Sequence, residues 1–340
     1  MKKMISVLSA LILTATAVGC GANPQAPTTA PMQSAQSVPQ GEAQQVSWPT
    51  KDVKIITTVK VGGNMDIKAR LVSKYLSKEL GVNVIVENLP GGGGVTGMTQ
   101  YLAEKPNTHS LIYMGVPHLT TAPFFNDVQY TKDDITIISG LDTVENGLFV
   151  SAKSDIKTFE DLVKLGQTGK IIKFGSAGIN NDTFLFTKAL LESAKVKSDS
   201  VDADSSTESL VNCVAGTVDV AYCAMNLAKG YVEKGDLIPI GVFSADAYTG
   251  YAGMTVPSFK SLGYDVTYSA TSFFAIRSGS DDAIVNKIET ALNNVCANPE
   301  FQKEFTEAGY VLMDDRSKEG INGEIEKIHK DLEGYRSLFQ

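Results

Sequence analysis

The chain has 340 residues, 43% of them hydrophobic, and 30 Lys and Arg stand against 38 Asp and Glu for a formal net charge of −8. That balance excludes a nucleic-acid surface built on excess positive charge, and the length accommodates two α/β lobes rather than one small domain. The three histidines are scattered and no cysteine or histidine spacing fits zinc, so neither a metal nor a cofactor is expected.

Met1-Lys2-Lys3 lead into an apolar run over residues 4–13, then into small residues ending Ala17-Val18-Gly19-Cys20. This is the pattern of an export signal, and its end resembles a bacterial lipobox, in which cleavage precedes a cysteine that becomes lipidated. Residues 1–19 are therefore read as a signal peptide and Cys20 as the lipid-modified first residue of the mature protein. Residues 21–47 hold four prolines, many Gln, Ala, Ser and Thr, and one charge, Glu42. Such a segment cannot bury enough apolar surface to order itself, so residues 20–47 read as a lipid-anchored disordered linker. No later apolar run is long enough to span a bilayer, which places the protein outside the cytoplasm, tethered to the cell membrane rather than embedded in it.

The folded part opens with a strand containing Val53, Ile55 and Ile56, which runs into Gly62-Gly63 and then a helix over residues 67–80. Asp66 is expected to cap that helix. The first turn of a helix has unpaired N–H groups and a partial positive end, and glycines let a ligand approach the main chain. The loop of Val59, Lys60, Val61, Gly62, Gly63 and Asn64 is thus suited to an anion or a polar oxygen. A second strand over 82–86 ends in Pro90-Gly91-Gly92-Gly93-Gly94. Gly92, Gly94 and Gly97 fit G-x-G-x-x-G, but no acidic residue stands about 20 positions on, so a structural turn is favoured over dinucleotide binding. A helix over 98–103, a strand over 111–114 and a third loop, Gly115-Val116-Pro117-His118, come next.

Strands over 135–141 and 148–150 and a helix over 159–165 precede a second strand, glycine loop and helix. Residues 171–174 read as strand, Gly175-Ser176-Ala177-Gly178-Ile179-Asn180-Asn181 as loop, and 183–194 as helix. Asn180 and Asn181 are good capping residues, and the Ser176-Ala177-Gly178 main chain offers further N–H donors. Helices over 205–215 and 227–233 alternate with strands over 218–223 and 237–242. Strands at 264–266 and 272–276 and helices near 281–297, 299–308 and 318–338 complete a doubly wound α/β pattern. Besides Cys20, Cys213, Cys223 and Cys296 are an odd set, so buried thiols are expected and a Cys213–Cys223 bridge is left open.

The ordered blocks Trp48-Pro49, Val53-Lys54-Ile55-Ile56, Gly62-Gly63 with Asp66-Ile67 and Ala69-Arg70, Val86-Glu87-Asn88 with Pro90-Gly91, Phe174-Gly175-Ser176-Ala177-Gly178, and Val256-Pro257-Ser258-Phe259 resemble the TctC (Bug) receptors, the solute-binding proteins of tripartite tricarboxylate transporters. The resemblance runs from Trp48 to the C-terminus. It implies a two-lobed periplasmic-binding-protein-like fold (type II) with a ligand cleft between two doubly wound lobes. One lobe would comprise residues 48–148 and 268–340, and the other residues 149–267. A carboxylate of the ligand would lie between the loop from Val59 to Asn64, with Asp66, and the loop from Ser176 to Asn181. His118 falls where many relatives have a loop histidine. Departures from the family pattern include Asn64-Met65 before Asp66, Cys223-Ala224 in place of Asp-Asn, Asp204 near a usual lysine, and Asp182 at the second helix start. Added carboxylates would repel a tricarboxylate, whereas Lys60 could pair with one acid group and an aspartate with an ammonium.

The expected function is a lipoprotein that captures a small organic acid or amino-acid-like ligand and delivers it to integral membrane permease subunits. A ligand-loaded sensor for a membrane signalling receptor is the alternative. Gly175-Ser176-Ala177-Gly178 follows Phe174 and so is not G-x-S-x-G, which weighs against an enzyme. A monomer is expected, with no nucleic-acid partner.

Overall fold

Alternating buried positions set the first lobe. Val53, Ile55 and Ile56 are buried in β1 (Val53–Thr57), where Lys54 points outward. The following helix, α1 (Asn64–Leu80), turns Ala69, Val72, Tyr75 and Leu76 toward the sheet. Burial of a large apolar side chain contributes about 1.5–3 kcal/mol. Then come β2 (Val84–Asn88), α2 (Val95–Leu102), β3 (Ser110–Gly115) and the short α3 (Thr121–Phe125). β1 lies between β2 and β3 and is parallel to both. The computed structural model describes residues 47–176, 181–203 and 205–336. The signal segment, Cys20, the linker up to residue 46, residues 177–180 and Asp204 lie outside the described residues.

β4 is one strand of 17 residues, Ile135–Ser151, where two separate strands were expected. The intervening Asp142-Thr143-Val144-Glu145-Asn146-Gly147 looks like a polar break, yet Asp142 and Asn146 are buried and hydrogen-bonded inside the sheet. The strand changes partners midway. From Ile135 to Glu145 it pairs antiparallel with β11 (Ser269–Arg277), and from Asn146 to Ser151 with β7 (Val220–Ala224) and β8 (Leu237–Val242).

Between these lie α4 (Phe159–Gln167), β5 (Ile172–Ser176), α5 (Asp182–Ser193), β6 (Ser198–Asp202), α6 (Ser206–Val214) and α7 (Met225–Glu233). A hairpin of β9 (Tyr248–Tyr251) and β10 (Met254–Val256) follows β8, and α8 (Asp282–Ala297), α9 (Pro299–Glu307) and α10 (Lys318–Tyr335) close the chain. Among the described residues the main sheet runs β2-β1-β3-β11-β4-β7-β5-β6, with β8 on β4. The product is a two-lobed, periplasmic-binding-protein-like α/β fold. Residues 264–266, expected as a strand, join no ladder, and β6 and the hairpin were not anticipated. No described helix is long and apolar enough to cross a membrane.

Candidate functional site

The strand registers bring the loops together. Gly115, at the carboxyl end of β3, pairs with Ser272 of β11, which in turn pairs with Asp142 of β4. Ala224, at the carboxyl end of β7, pairs with Asn146 of the same strand. The carboxyl ends of the parallel strands of both lobes therefore face the point where β4 changes partners. In open α/β sheets, ligands bind outside these ends.

The first-lobe loop is held by Asp66. This residue is the third of α1 rather than its cap, because the helix begins at Asn64 with Gly63 as a cap that has no side chain to offer. Its Oδ2 accepts from the Gly62 N–H at 2.9 Å and from Arg70 Nε at 3.1 Å, and its Oδ1 accepts from Asn88 Nδ2 at 2.9 Å. Asn88 Nδ2 also donates to the Val59 carbonyl at 3.1 Å. Burial would raise the Asp66 pKa, but the bonds from Arg70, Gly62 and Asn88 together outweigh it and hold the carboxyl below its usual range. Gly62 has φ of +81°, which only glycine adopts easily, and the Gly63 N–H donates to the Lys60 carbonyl at 3.2 Å.

The N–H groups of Gly62 and Gly63 are thus bonded within the loop and shape it. The donors left for a ligand are those of the first turn of α1 at Asn64, Met65 and Asp66, which a helix cannot satisfy itself. Asn64 Oδ1 is a buried oxygen without a hydrogen-bond partner among the described residues. Lys60 and Val61 are exposed at the tip of the loop.

His118 is buried, and both ring nitrogens are engaged. Nε2 lies 2.5 Å from Thr58 Oγ1, and Nδ1 lies 2.9 Å from the Gly115 carbonyl and 3.3 Å from the Gly115 amide nitrogen. Burial lowers its pKa, and the Gly115 bond offsets only part of that fall. A Cβ on Gly94 would come within 2.3 Å of the ring, so Gly94 packs flat against it. His118 therefore pins the loops after β1, β2 and β3 to one another.

In the second lobe Asn181 caps α5, its Oδ1 accepting from the Phe184 N–H at 3.0 Å and from the Thr183 hydroxyl at 2.7 Å. Ser176 is fully buried; its hydroxyl lies 2.9 Å from that of Thr183, and its carbonyl accepts from the Ala203 N–H at 2.8 Å. Ala177, Gly178, Ile179 and Asn180, like Asp204, fall outside the described residues. Asp182 is partly buried and accepts from the Tyr268 hydroxyl at 3.0 Å. Burial raises its pKa, and the bonds from Tyr268 and the first-turn N–H groups offset only part of that rise. Cys223 is fully buried in β7 and its thiol is pushed up to about 12 by burial. Cys213, Cys223 and Cys296 are all free, so the Cys213–Cys223 bridge left open above is not formed.

One buried network escaped the sequence reading. Lys68 Nζ bonds both Asp142 oxygens at 2.9 and 2.8 Å, and Asp142 also accepts from the Tyr113 and Ser272 hydroxyls. Lys68 is 2% exposed and shares the buried stripe of Val72, Tyr75 and Leu76 at helical spacing, which was the available signal. Among the described residues no cluster of three His, Cys, Asp or Glu could hold a metal ion.

Residues 68–323 match the tripartite tricarboxylate transporter family receptor. A UPF0065 protein of Bordetella bronchiseptica is 24% identical over 282 residues, covering 82% of this chain and 83% of that one. Among solved structures, MatC from Rhodopseudomonas palustris with bound malate superposes with a TM-score of 0.75 at 18% identity, covering 86% of this chain and all of that one. A second R. palustris protein, solved with adipate, superposes at 0.77, also at 18% identity, over 86% of this chain and 98% of that one.

Proposed function

Since the chain belongs to the tripartite tricarboxylate transporter receptor family, we propose that it captures a small carboxylated metabolite in a cleft between its lobes and delivers it to a membrane permease. The observation that carries this reading is the convergence of the strand ends of both lobes on the partner change in β4, with the first turn of α1 offered by a loop already locked by Asp66. Main-chain N–H groups there suit one carboxylate, and a charge-assisted hydrogen bond is worth about 1.5–3 kcal/mol. The malate and adipate found in two structurally similar proteins support the ligand class.

Further carboxylates on the ligand would meet Asp182, so an acid with one carboxylate, or a zwitterion whose ammonium offsets that charge, is favoured over a tricarboxylate. The division into residues 48–148 with 268–340 and residues 149–267 is proposed on the same grounds, with hinge motion at the two chain crossings closing the cleft and excluding water. The protein acts as a receptor and not an enzyme. It is exported and lipid-anchored at Cys20, supported by the signal and the linker that follows. Cys20→Ala should release it from membranes, and native protein whose intact mass retains residues 1–19 would contradict the anchor.

A thermal-shift screen of mono-, di- and tricarboxylates and amino acids tests the binding reading, because a ligand that binds only the folded state raises the melting temperature. At least one small carboxylate should stabilise the protein. Uniform indifference to all of them would contradict the proposal.

A further inference from the structure

Beside the strand crossing, a second contact joins the two lobes of the division proposed above. On the first-lobe side it is made by the turn after α9, which carries Gly309 with a φ of +83°. That turn is fixed to its own lobe. The Gly309 N–H donates to the Thr306 carbonyl at 2.9 Å, and the buried Tyr310 ring centroid lies 5.6 Å from Lys68 Nζ. Leu312 bridges to Asp142, and the Met313 N–H donates to the Leu141 carbonyl at 3.2 Å. On the second-lobe side stands Asn226, the second residue of α7. The start of that helix is equally fixed, because Met225 and Ala228 are buried and the Met225 carbonyl accepts from the Tyr251 hydroxyl at 2.6 Å.

The approach of the two is close. A Cβ on Gly309 would lie 3.1 Å from Asn226 Cβ and 3.7 Å from Asn226 Nδ2. The Cβ of Asn226 is placed by the backbone of α7, so no rotamer of that side chain could make room; the approach depends on glycine at 309. Asn226 Oδ1 is buried and has no hydrogen-bond partner among the described residues. A buried amide oxygen without a donor carries a cost, so this contact limits how far the lobes approach and does not hold them together.

We propose that Gly309 and Asn226 form the interlobe stop, the turn after α9 meeting the start of α7 to set the shortest spacing the two lobes reach. The inference rests on the receptor reading and on its two-lobe division. When the lobes rotate apart, the pair separates and water supplies the hydrogen bond that Asn226 Oδ1 lacks. When they close, that bond is given up again. The contacts that favour the closed form must therefore come from the ligand, which shifts the equilibrium only by what it gains in that form.

The test uses the mature chain with spin labels at the exposed positions Lys229 of α7 and Lys303 of α9, and the distance distribution between them as its readout. Gly309→Ala sets a Cβ against Asn226 and also strains a turn of positive φ. Gly309→Ala with Asn226→Gly keeps that strain but removes the opposing Cβ. Both should melt below the parent, since the strain is common to them. In ligand-free protein Gly309→Ala should lose the shortest distances that the parent reaches, and the paired variant should regain them. For any carboxylate that the parent binds, Gly309→Ala should raise Kd about tenfold and the paired variant less than about threefold. Asn226→Gly alone introduces no strain and should extend the distribution to distances shorter than the parent's, which decides the matter even where Gly309→Ala fails to fold. Parent-like distances in Gly309→Ala, the same loss of short distances in the paired variant, or an unchanged shortest distance in Asn226→Gly would each overturn the inference. A parent protein that binds no carboxylate contradicts the receptor reading alone, because the ligand-free distributions still decide the stop.

Discussion

Asp66 and Asp182 occupy corresponding places in the two lobes, each within the first turn of the helix that follows a glycine-containing loop, and the protein treats them oppositely. Asp66 is 3% exposed at its side chain, pairs with Arg70 and holds Gly62 and Asn88, and its pKa falls. Asp182 has a tyrosine hydroxyl and main-chain N–H groups, with no cation bonded to it among the described residues, and its pKa rises. The difference teaches that the first-lobe loop is a platform held by its own carboxylate, whereas Asp182 at the start of α5 is held by a single neutral side chain, Tyr268.

The largest expected effect breaks the platform at its root. Lys68→Met leaves Asp142 buried without its cation, and removal of one member of a buried ion pair costs about 3–5 kcal/mol. Urea unfolding should show that loss, and a change below about 1 kcal/mol, on the order of a surface pair, would contradict a fixed first lobe. Asp66→Ala comes next. It frees Gly62 and Asn88 at once, and loss of hydrogen bonds to a charged group costs about 1.5–3 kcal/mol. Ligand affinity should fall with it, since the loop geometry goes.

The comparison is sharpened by pH. A carboxyl whose folded pKa is depressed contributes stability that is present above the ordinary value of 3.8 and lost as pH falls through the folded value, which is the case for Asp66. A carboxyl whose folded pKa is raised contributes stability that is present below 3.8 and lost as pH rises through the folded value, which is the case for Asp182. Asp182→Asn, which keeps the acceptor for Tyr268, should therefore leave the protein at least as stable as the parent at neutral pH and lose that advantage in acid. Asp66→Asn should be less stable at neutral pH, with the gap narrowing in acid. Unfolding free energies across that range check both, and parallel curves for the two variants would remove the distinction.

Most strands and helices of this fold were legible because buried apolar residues recur at the expected periods. The parts that were not legible are those where polar residues are buried for a reason that lies far off in sequence. The segment from Asp142 to Gly147 reads as a loop until Lys68, 74 residues earlier, supplies the cation for Asp142. β6, Ser-Asp-Ser-Val-Asp, is an edge strand with one apolar residue to signal it. At the candidate site the glycine loops and Asp66 were visible, but the bonds that hold His118, Gly62 and Gly63 within the loops were not. Tyr268 gave no local sign, since its partner Asp182 is 86 residues away.

Calorimetric titration of the mature protein with a monocarboxylate, amino acid, dicarboxylate and citrate series tests the central claim that a small carboxylate bridges the two loops. The account predicts saturable one-to-one binding of a monocarboxylate or zwitterionic acid, with citrate weaker by about tenfold or more. Tight binding of citrate without response to the smaller acids, or no binding by any of the series, would contradict it.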